Sequence, residues 1–184
     1  HLAFIHDFSN LSGALTTDLR AVETMGAALE GSGKPFVITA HMNGEASENV
    51  VMALAERGVR TSIAWLAPSV HGPADRHGFI PSLIGVARDK GVSAYVGDGA
   101  NRWPAVHELD AARLYRLALE AAPAGSRLLG VGDKGVPFRD IAEVIGRHLN
   151  LPVVSVAREE AEAHFGWMGA LAAADIASRL DNPA

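Results

Sequence analysis

VRTSIAWLAPSVHGP, residues 59–73, opens as an apolar run broken by two small hydroxyls, Thr61 and Ser62. It then passes through Pro68 into a loop containing Ser69, His71 and Gly72. A helical spacing precedes it over residues 47–57, and another follows over 79–90. A strand of this composition between two helices predicts a parallel sheet, whose strands are buried on both faces and therefore apolar nearly throughout. Ligands of such sheets sit beyond the carboxyl ends of the strands, so the loop 67–73 is the first place to look for function.

Toward the N-terminus the pattern continues. Residues 35–40, PFVITA, read as a short strand. Residues 16–29 place Leu19, Val22, Met25, Ala28 and Leu29 on one helical stripe and stop at Gly31-Ser32-Gly33. Residues 7–10 read as a loop with side chains suited to capping, and 1–5 as the end of a strand. Ser47 is the expected cap of the helix that runs to Arg57, with Val50, Val51, Leu54 and Ala55 inward.

Toward the C-terminus, 79–90 reads as a helix and 92–96 as a strand, with a turn over 97–101. Residues 102–108 look irregular, and Asp110 is the expected cap of a helix to 121. A strand over 127–131, a turn over 132–135, a helix over 136–149 and a strand over 151–156 follow. Residues 158–174 are helical but interrupted by Gly166 and Gly169, and the tail from 175 has little to hold it. This alternation predicts an α/β fold with right-handed crossovers and helices on both sheet faces. The composition changes near Gly97, where a smaller lobe is expected to begin.

With 184 residues, 48% of them apolar, the chain has enough material to bury a core. A net charge of -5 without a dense Lys/Arg cluster argues against nucleic-acid binding. The absence of cysteine removes disulfide and thiol chemistry and fits a cytoplasmic protein. No apolar run reaches membrane-spanning length, and the start on HLAFI reads as a processed, cloned or incomplete segment.

Motif chemistry is sparse. Neither GxGxxG nor GxxxxGK[ST] occurs, so no phosphate-cradling glycine loop is expected in this chain. HGPADRH, 71–77, offers two histidines and an aspartate but matches no zinc spacing, so no metal site is expected. Ser69, His71, His107 and Asp110 supply the residue types of a hydrolytic triad without a G-x-S-x-G elbow. His107 and Asp110 read either as a helix start, with Asp110 capping, or with Arg102 and Trp103 as the lining of a substrate cleft. Trp103 reads equally as a core residue.

HLAF (1–4), PFVITA (35–40), SENVVMALAERGVR (47–60), the 59–73 stretch and NRWPAVHELDAARLYRLALE (101–120) together resemble the atypical extended short-chain dehydrogenase/reductases of the NAD-dependent epimerase/dehydratase superfamily. GVPFRDIAEVIGRHLNLPVVSV (135–156) resembles that family's substrate lobe. The resemblance implies an incomplete Rossmann-like parallel sheet with flanking helices and a small C-terminal α/β substrate lobe. Residues 1–98 would be the C-terminal part of the Rossmann-like domain, and 99–184 the lobe, with some elements returning to the main sheet.

It also implies roles. Residues 1–4 would end the fourth strand, and 39–41 the fifth, where a hydroxyl polarises the substrate carbonyl; Thr39 and His41 are the candidates. NAD or NADP would lie against Ala3, Phe4, Thr39, Ala40, Pro68, Ser69 and Val70. His71, Arg102, Trp103 and His107 would face a small-molecule substrate. A homodimer would form through helices 16–29 and 47–57, whose small residues permit close packing.

Three departures stand out. Gly44 and Glu48 occupy the places of the family's catalytic Tyr-x-x-x-Lys, leaving Tyr95 and Tyr115 as packing residues. Trp65 stands where many members carry Arg. The glycine-rich part of the family's fold has no counterpart here, so this chain alone is expected to bind NAD(P) weakly or not at all. The leading reading is an atypical NAD(P)-dependent oxidoreductase or epimerase-like protein seen as a partial chain. The competing reading is a non-catalytic Rossmann-like binding or regulatory protein. Sugar nucleotide, sterol-like ketone and small aldehyde all remain open as substrates.

Overall fold

The computed structural model describes residues 1–7, 10–40 and 43–177. The chain forms an α/β fold in two compact units that interleave along the sequence: residues 1–66 with 110–130, and 67–109 with 131–184.

In the first unit α1 (Leu11–Leu29) leads into β1 (Pro35–Thr39), α2 (Glu45–Glu56) and β2 (Arg60–Leu66). The end of the unit comes from α4 (Glu108–Ala121) and β6 (Ser126–Gly130). The three strands form one parallel sheet in the order β1-β2-β6, with Val37 level with Ser62 and Ser62 level with Ser126. Strand alternation sends Phe36, Ile38 and Ile63 to one face, where they bury Val22, Val51 and Leu54 of α1 and α2. Val37 and Ala64 point to the other face, against Ala118 and Ala122 at the end of α4.

Polar side chains in this unit are tied off locally. Asn10 caps α1 by accepting from the Gly13 N–H at 3.1 Å. Arg60 donates to the Ala122 carbonyl at 3.1 Å and to the Leu119 carbonyl, placing a cation on the free carbonyls that end α4. Ser47 does not cap α2, which starts two residues earlier at Glu45. Its hydroxyl instead donates at 2.7 Å to Asp18, because a carboxylate that is 5% exposed needs donors more than the helix end does. The expected strand over 1–5 does not form. The His1 nitrogen donates to the Val37 carbonyl of β1 at 2.6 Å, and one bond is not a ladder.

The second unit contains β3 (Ser69–His71), α3 (Phe79–Lys90), β4 (Ser93–Val96), β5 (Arg102–His107), β7 (Asp133–Pro137), α5 (Phe138–Leu149) and β8 (Val153–Val156). Short helices α6 (Ala161–Phe165) and α7 (Gly169–Ala172) close it. β3 and β5 pair in parallel and β5 and β7 antiparallel, while β4 and β8 form a separate parallel pair. Its core is aromatic: Trp103 lies 5.0 Å from Phe138 and 5.8 Å from Phe79, and Phe138 lies 6.0 Å from Phe165, centroid to centroid.

Several boundaries differ from the sequence reading here. Residues 102–107 are a strand, with Pro104 at a register shift that absorbs its missing donor. Residues 133–137 are a strand rather than a turn and a helix start; α5 begins after Pro137, whose extended conformation stands at the helix cap. The 158–174 helix is broken at Gly166, whose backbone (φ 60, ψ -134) suits glycine alone. The tail beyond 175 is partly held, since the Ile176 and Ala177 N–H groups both donate to the Arg102 carbonyl. The composition change near Gly97 lies inside this second unit.

Candidate functional site

In the first unit the carboxyl end of the parallel sheet carries the residue singled out for carbonyl chemistry. Thr39 is the last residue of β1, and the following Ala40 N–H still donates to the Ala64 carbonyl, fixing the strand's exit. The Thr39 hydroxyl lies 2.6 Å from the hydroxyl of Tyr115 on α4. Tyr115 is half-buried and rests on the cluster of Val37, Ala64, Ala118 and Ala122. Burial pushes its phenol above the ordinary value, and the Thr39 hydrogen bond draws it partly back.

Ala3 is exposed and Phe4 half-buried, its ring edge-on to His6 at 5.5 Å. His41 lies outside the described residues. Gly44 is buried just ahead of α2, and the Glu48 carboxylate accepts from Arg127 on β6 at 2.5 Å. The position that the resemblance gives to a lysine therefore carries an acid already paired with an arginine.

In the second unit Pro68 and Val70 are half-buried, and Ser69 between them is 4% exposed. No described residue takes a hydrogen bond from or gives one to the Ser69 hydroxyl. His71 and His107 stand level on β3 and β5, their rings edge to face with centroids 5.7 Å apart. The His107 Nδ1 accepts from the Leu109 N–H at 3.2 Å, which puts the proton of the neutral ring on Nε2. This bond, rather than Asp110, serves the start of α4, and it begins at Glu108. The Glu108 carboxyl lies directly over Gly72, where a Cβ would overlap it.

Asp75 folds the following loop by accepting from the His77 and Gly78 N–H groups at 3.3 and 2.8 Å. Among the described residues no three His, Cys, Asp or Glu side chains converge as metal ligands. Arg102 engages Asp175 through two guanidinium bonds of 3.3 and 3.1 Å, and this pairing holds the Asp175 carboxyl below the usual range. Trp103 is 1% exposed in the core and donates from its indole to the Leu171 carbonyl at 3.1 Å.

Sequence reasoning missed Tyr115 and Asp175. The signal for Tyr115 was present: it lies three residues before Ala118 and four after Ala111, on a stripe that α4 buries. A tyrosine on a buried stripe needs a partner for its hydroxyl. Asp175 gave no comparable signal, because its partner is distant in sequence.

No family model matches the chain. It is 42% identical, over 95% of its length, to an uncharacterized protein of Schizosaccharomyces pombe, and 40% identical, over 91%, to one of Saccharomyces cerevisiae. It spans 66% and 63% of those two relatives. Among solved structures, a dTDP-glucose 4,6-dehydratase of Streptomyces venezuelae with NAD bound matches 84% of the chain and 58% of its own, with TM-score 0.68 and 20% identity. The dTDP-glucose 4,6-dehydratase of Bacillus anthracis in complex with NAD matches 90% of the chain and 66% of its own, with TM-score 0.64 and 14% identity. RMD of Pseudomonas aeruginosa complexed with NADPH matches 82% of the chain and 64% of its own, with TM-score 0.62 and 14% identity. The likeness is one of fold. Among the described residues no helix is long and apolar enough to cross a membrane.

Proposed function

We propose that the chain is part of an atypical NAD(P)-dependent oxidoreductase or epimerase-like protein of the NAD-dependent epimerase/dehydratase superfamily, acting on a small molecule. The observation that carries this reading is Ser69. A buried hydroxyl without a partner is an unfilled hydrogen-bonding position, and Ser69 lies in the stretch that the resemblance assigns to the nicotinamide end. A carboxamide, donor and acceptor at once, suits it. Within the second unit, Pro68, Ser69 and Val70 are the residues we assign to that end; within the first, the resemblance gives Ala3, Phe4, Thr39 and Ala40 to the cofactor. A bound dinucleotide would supply hydride transfer, and this chain would supply the orienting hydrogen bonds. His71 and His107, with the latter's Nε2–H outward of its own backbone bond, are the polar groups we assign to substrate. Arg102 and Trp103 contribute by shaping the unit that carries them, since both side chains are already engaged.

Saturation-transfer NMR tests the assignment and tolerates weak affinity. With NAD(H) or NADP(H) added to the chain, the nicotinamide protons are expected to receive more transfer than the adenine protons. Ser69→Ala is expected to reduce it. Equal transfer to both rings, or transfer to the adenine alone, would remove the reading.

The non-catalytic alternative is favoured by one observation: Glu48, in the place of the family's lysine, is tied to Arg127. A binding or regulatory protein lacks turnover, so NADH oxidation across a panel of carbonyl compounds separates the two. We also propose a homodimer through α1 and α2; light scattering that showed only monomer at high micromolar concentration would exclude it.

A further inference from the structure

The core of the second unit encloses a cavity of about 10 Å³ between α3, β4, α5 and α6. Its walls are chiefly apolar, with Leu83, Phe138, Ile145 and Phe165 among them. Two polar side chains also line it: Ser93 at the start of β4 and His164 on α6. A cavity lined by carbon alone stays dry, whereas one with polar partners takes up water.

Both polar side chains have hydrogen-bonding capacity left over. Ser93 is 2% exposed, and its hydroxyl donates to the Ala142 carbonyl on α5 at 2.8 Å. That spends its one proton and leaves the oxygen able to accept. The His164 Nε2 is buried and bonds to no described residue. Its ring stands edge to face with the Phe165 ring, centroids 4.7 Å apart. Burial, and then the charge of Lys90, favour the neutral ring, on which Nε2 carries either a proton or a lone pair.

These requirements select the occupant. It must donate to the Ser93 oxygen, and it must donate to His164 or accept from it. Water does either. Size narrows the choice further, because about 10 Å³ is close to the least space that holds one water molecule.

We propose that this cavity is a single-water site, in which one water joins the His164 Nε2 to the Ser93 Oγ and ties α6 to β4 and α5. α6 is five residues long and ends at Gly166, too short to hold its own shape. Ala161 and Phe165 give it apolar contact with the core. The water adds a directional bond, and it accounts for a histidine among carbon side chains. The site lies wholly within the second unit and is independent of the cofactor reading.

A crystal structure of the chain, at a resolution that shows ordered solvent, tests this. One peak is expected in the cavity, within hydrogen-bond distance of both the His164 Nε2 and the Ser93 Oγ. A dry cavity, or a peak that reaches only one of the two, would overturn the proposal. His164→Phe keeps a ring and removes both nitrogens, so the peak is expected to be lost from that variant. A peak that persists there would show that His164 is not its partner, and the proposal would fall. Should His164→Phe not fold, Ser93→Ala removes the other partner, with the same loss expected and the same persistence fatal.

Discussion

Ile38 in the first unit and Trp103 in the second are both almost fully buried, yet they are held by different means. Ile38 sits on β1 in a parallel ladder, packed in a cluster of aliphatic side chains that includes Val22, Val51 and Leu54. Trp103 sits on a strand broken by a register shift, and much of its surroundings is ring: Phe79, Phe138 and, one contact further, Phe165. The difference teaches where each unit concentrates its stability. The first spreads it along strands and two helices. The second gathers it on a few large side chains, because its sheets of two and three short strands offer little ladder.

Trp103→Ala is the largest test of this contrast. It removes the centre of the ring cluster and the indole bond to the Leu171 carbonyl, and is expected to cost about 3–5 kcal/mol. Hydrogen exchange should show lost protection in β5 and α5 while β1 and β2 keep theirs. Equal loss in both units would mean that the two cores are not separately built.

Gly26→Val probes the contact between α1 and α2 in the first unit. A Cβ on Gly26 would overlap the Leu54 Cδ1 methyl of α2. The Leu54 side chain can rotate, so the expected cost is about 1–3 kcal/mol, read from urea denaturation. A cost as large as that of Trp103→Ala would show that this unit too depends on single positions.

The contrast also explains what the sequence made legible. The strands of the first unit were readable because PFVIT and RTSIAWL are apolar on both faces, and only a buried parallel strand asks for that. The second unit was harder. β7, DKGVP, has no strand periodicity and exists because β5 offers it an antiparallel edge, which is tertiary information. At the candidate site, Thr39 was legible as a strand-end residue, whereas Ser69, read as part of the loop 67–73, opens the strand β3. The Tyr115 contact was not legible, since it joins positions 76 residues apart. Ser47 and Asp110 both misled because each has a capping side chain: Ser47 is drawn to Asp18 and α2 starts at Glu45 without a side-chain cap, while the His107 ring takes the Leu109 N–H at the start of α4.

Arg60→Met is expected to cost about 1 kcal/mol. It keeps the apolar stem and removes the guanidinium bonds to the last carbonyls of α4, a half-buried contact whose net worth is that of an ordinary hydrogen bond or two. The check is thermal denaturation of the variant, with amide exchange near Ala122 as the local readout. A neutral result would show that α4 is fixed by Ala118 and Ala122 on the sheet alone.

The smallest effect expected lies in the second unit and depends on pH. The His164 Nε2 is buried with no hydrogen-bond partner among the described residues. Burial, followed by the nearby charge of Lys90, pushes its pKa below the ordinary value. The unfolded chain therefore takes up this proton first as pH falls, and stability declines from about pH 6.5 downward until the folded ring also protonates. Asp175 works at lower pH and with a different cause. Its carboxyl is held down by Arg102, so its contribution is complete above the ordinary carboxylate value and is lost as pH falls through the depressed one. Both groups are partly open to solvent, which keeps each step modest. His164→Gln is expected to flatten the upper step and leave the lower, and Asp175→Asn to do the reverse. A single acid transition that neither substitution alters would assign the acid sensitivity of this unit elsewhere.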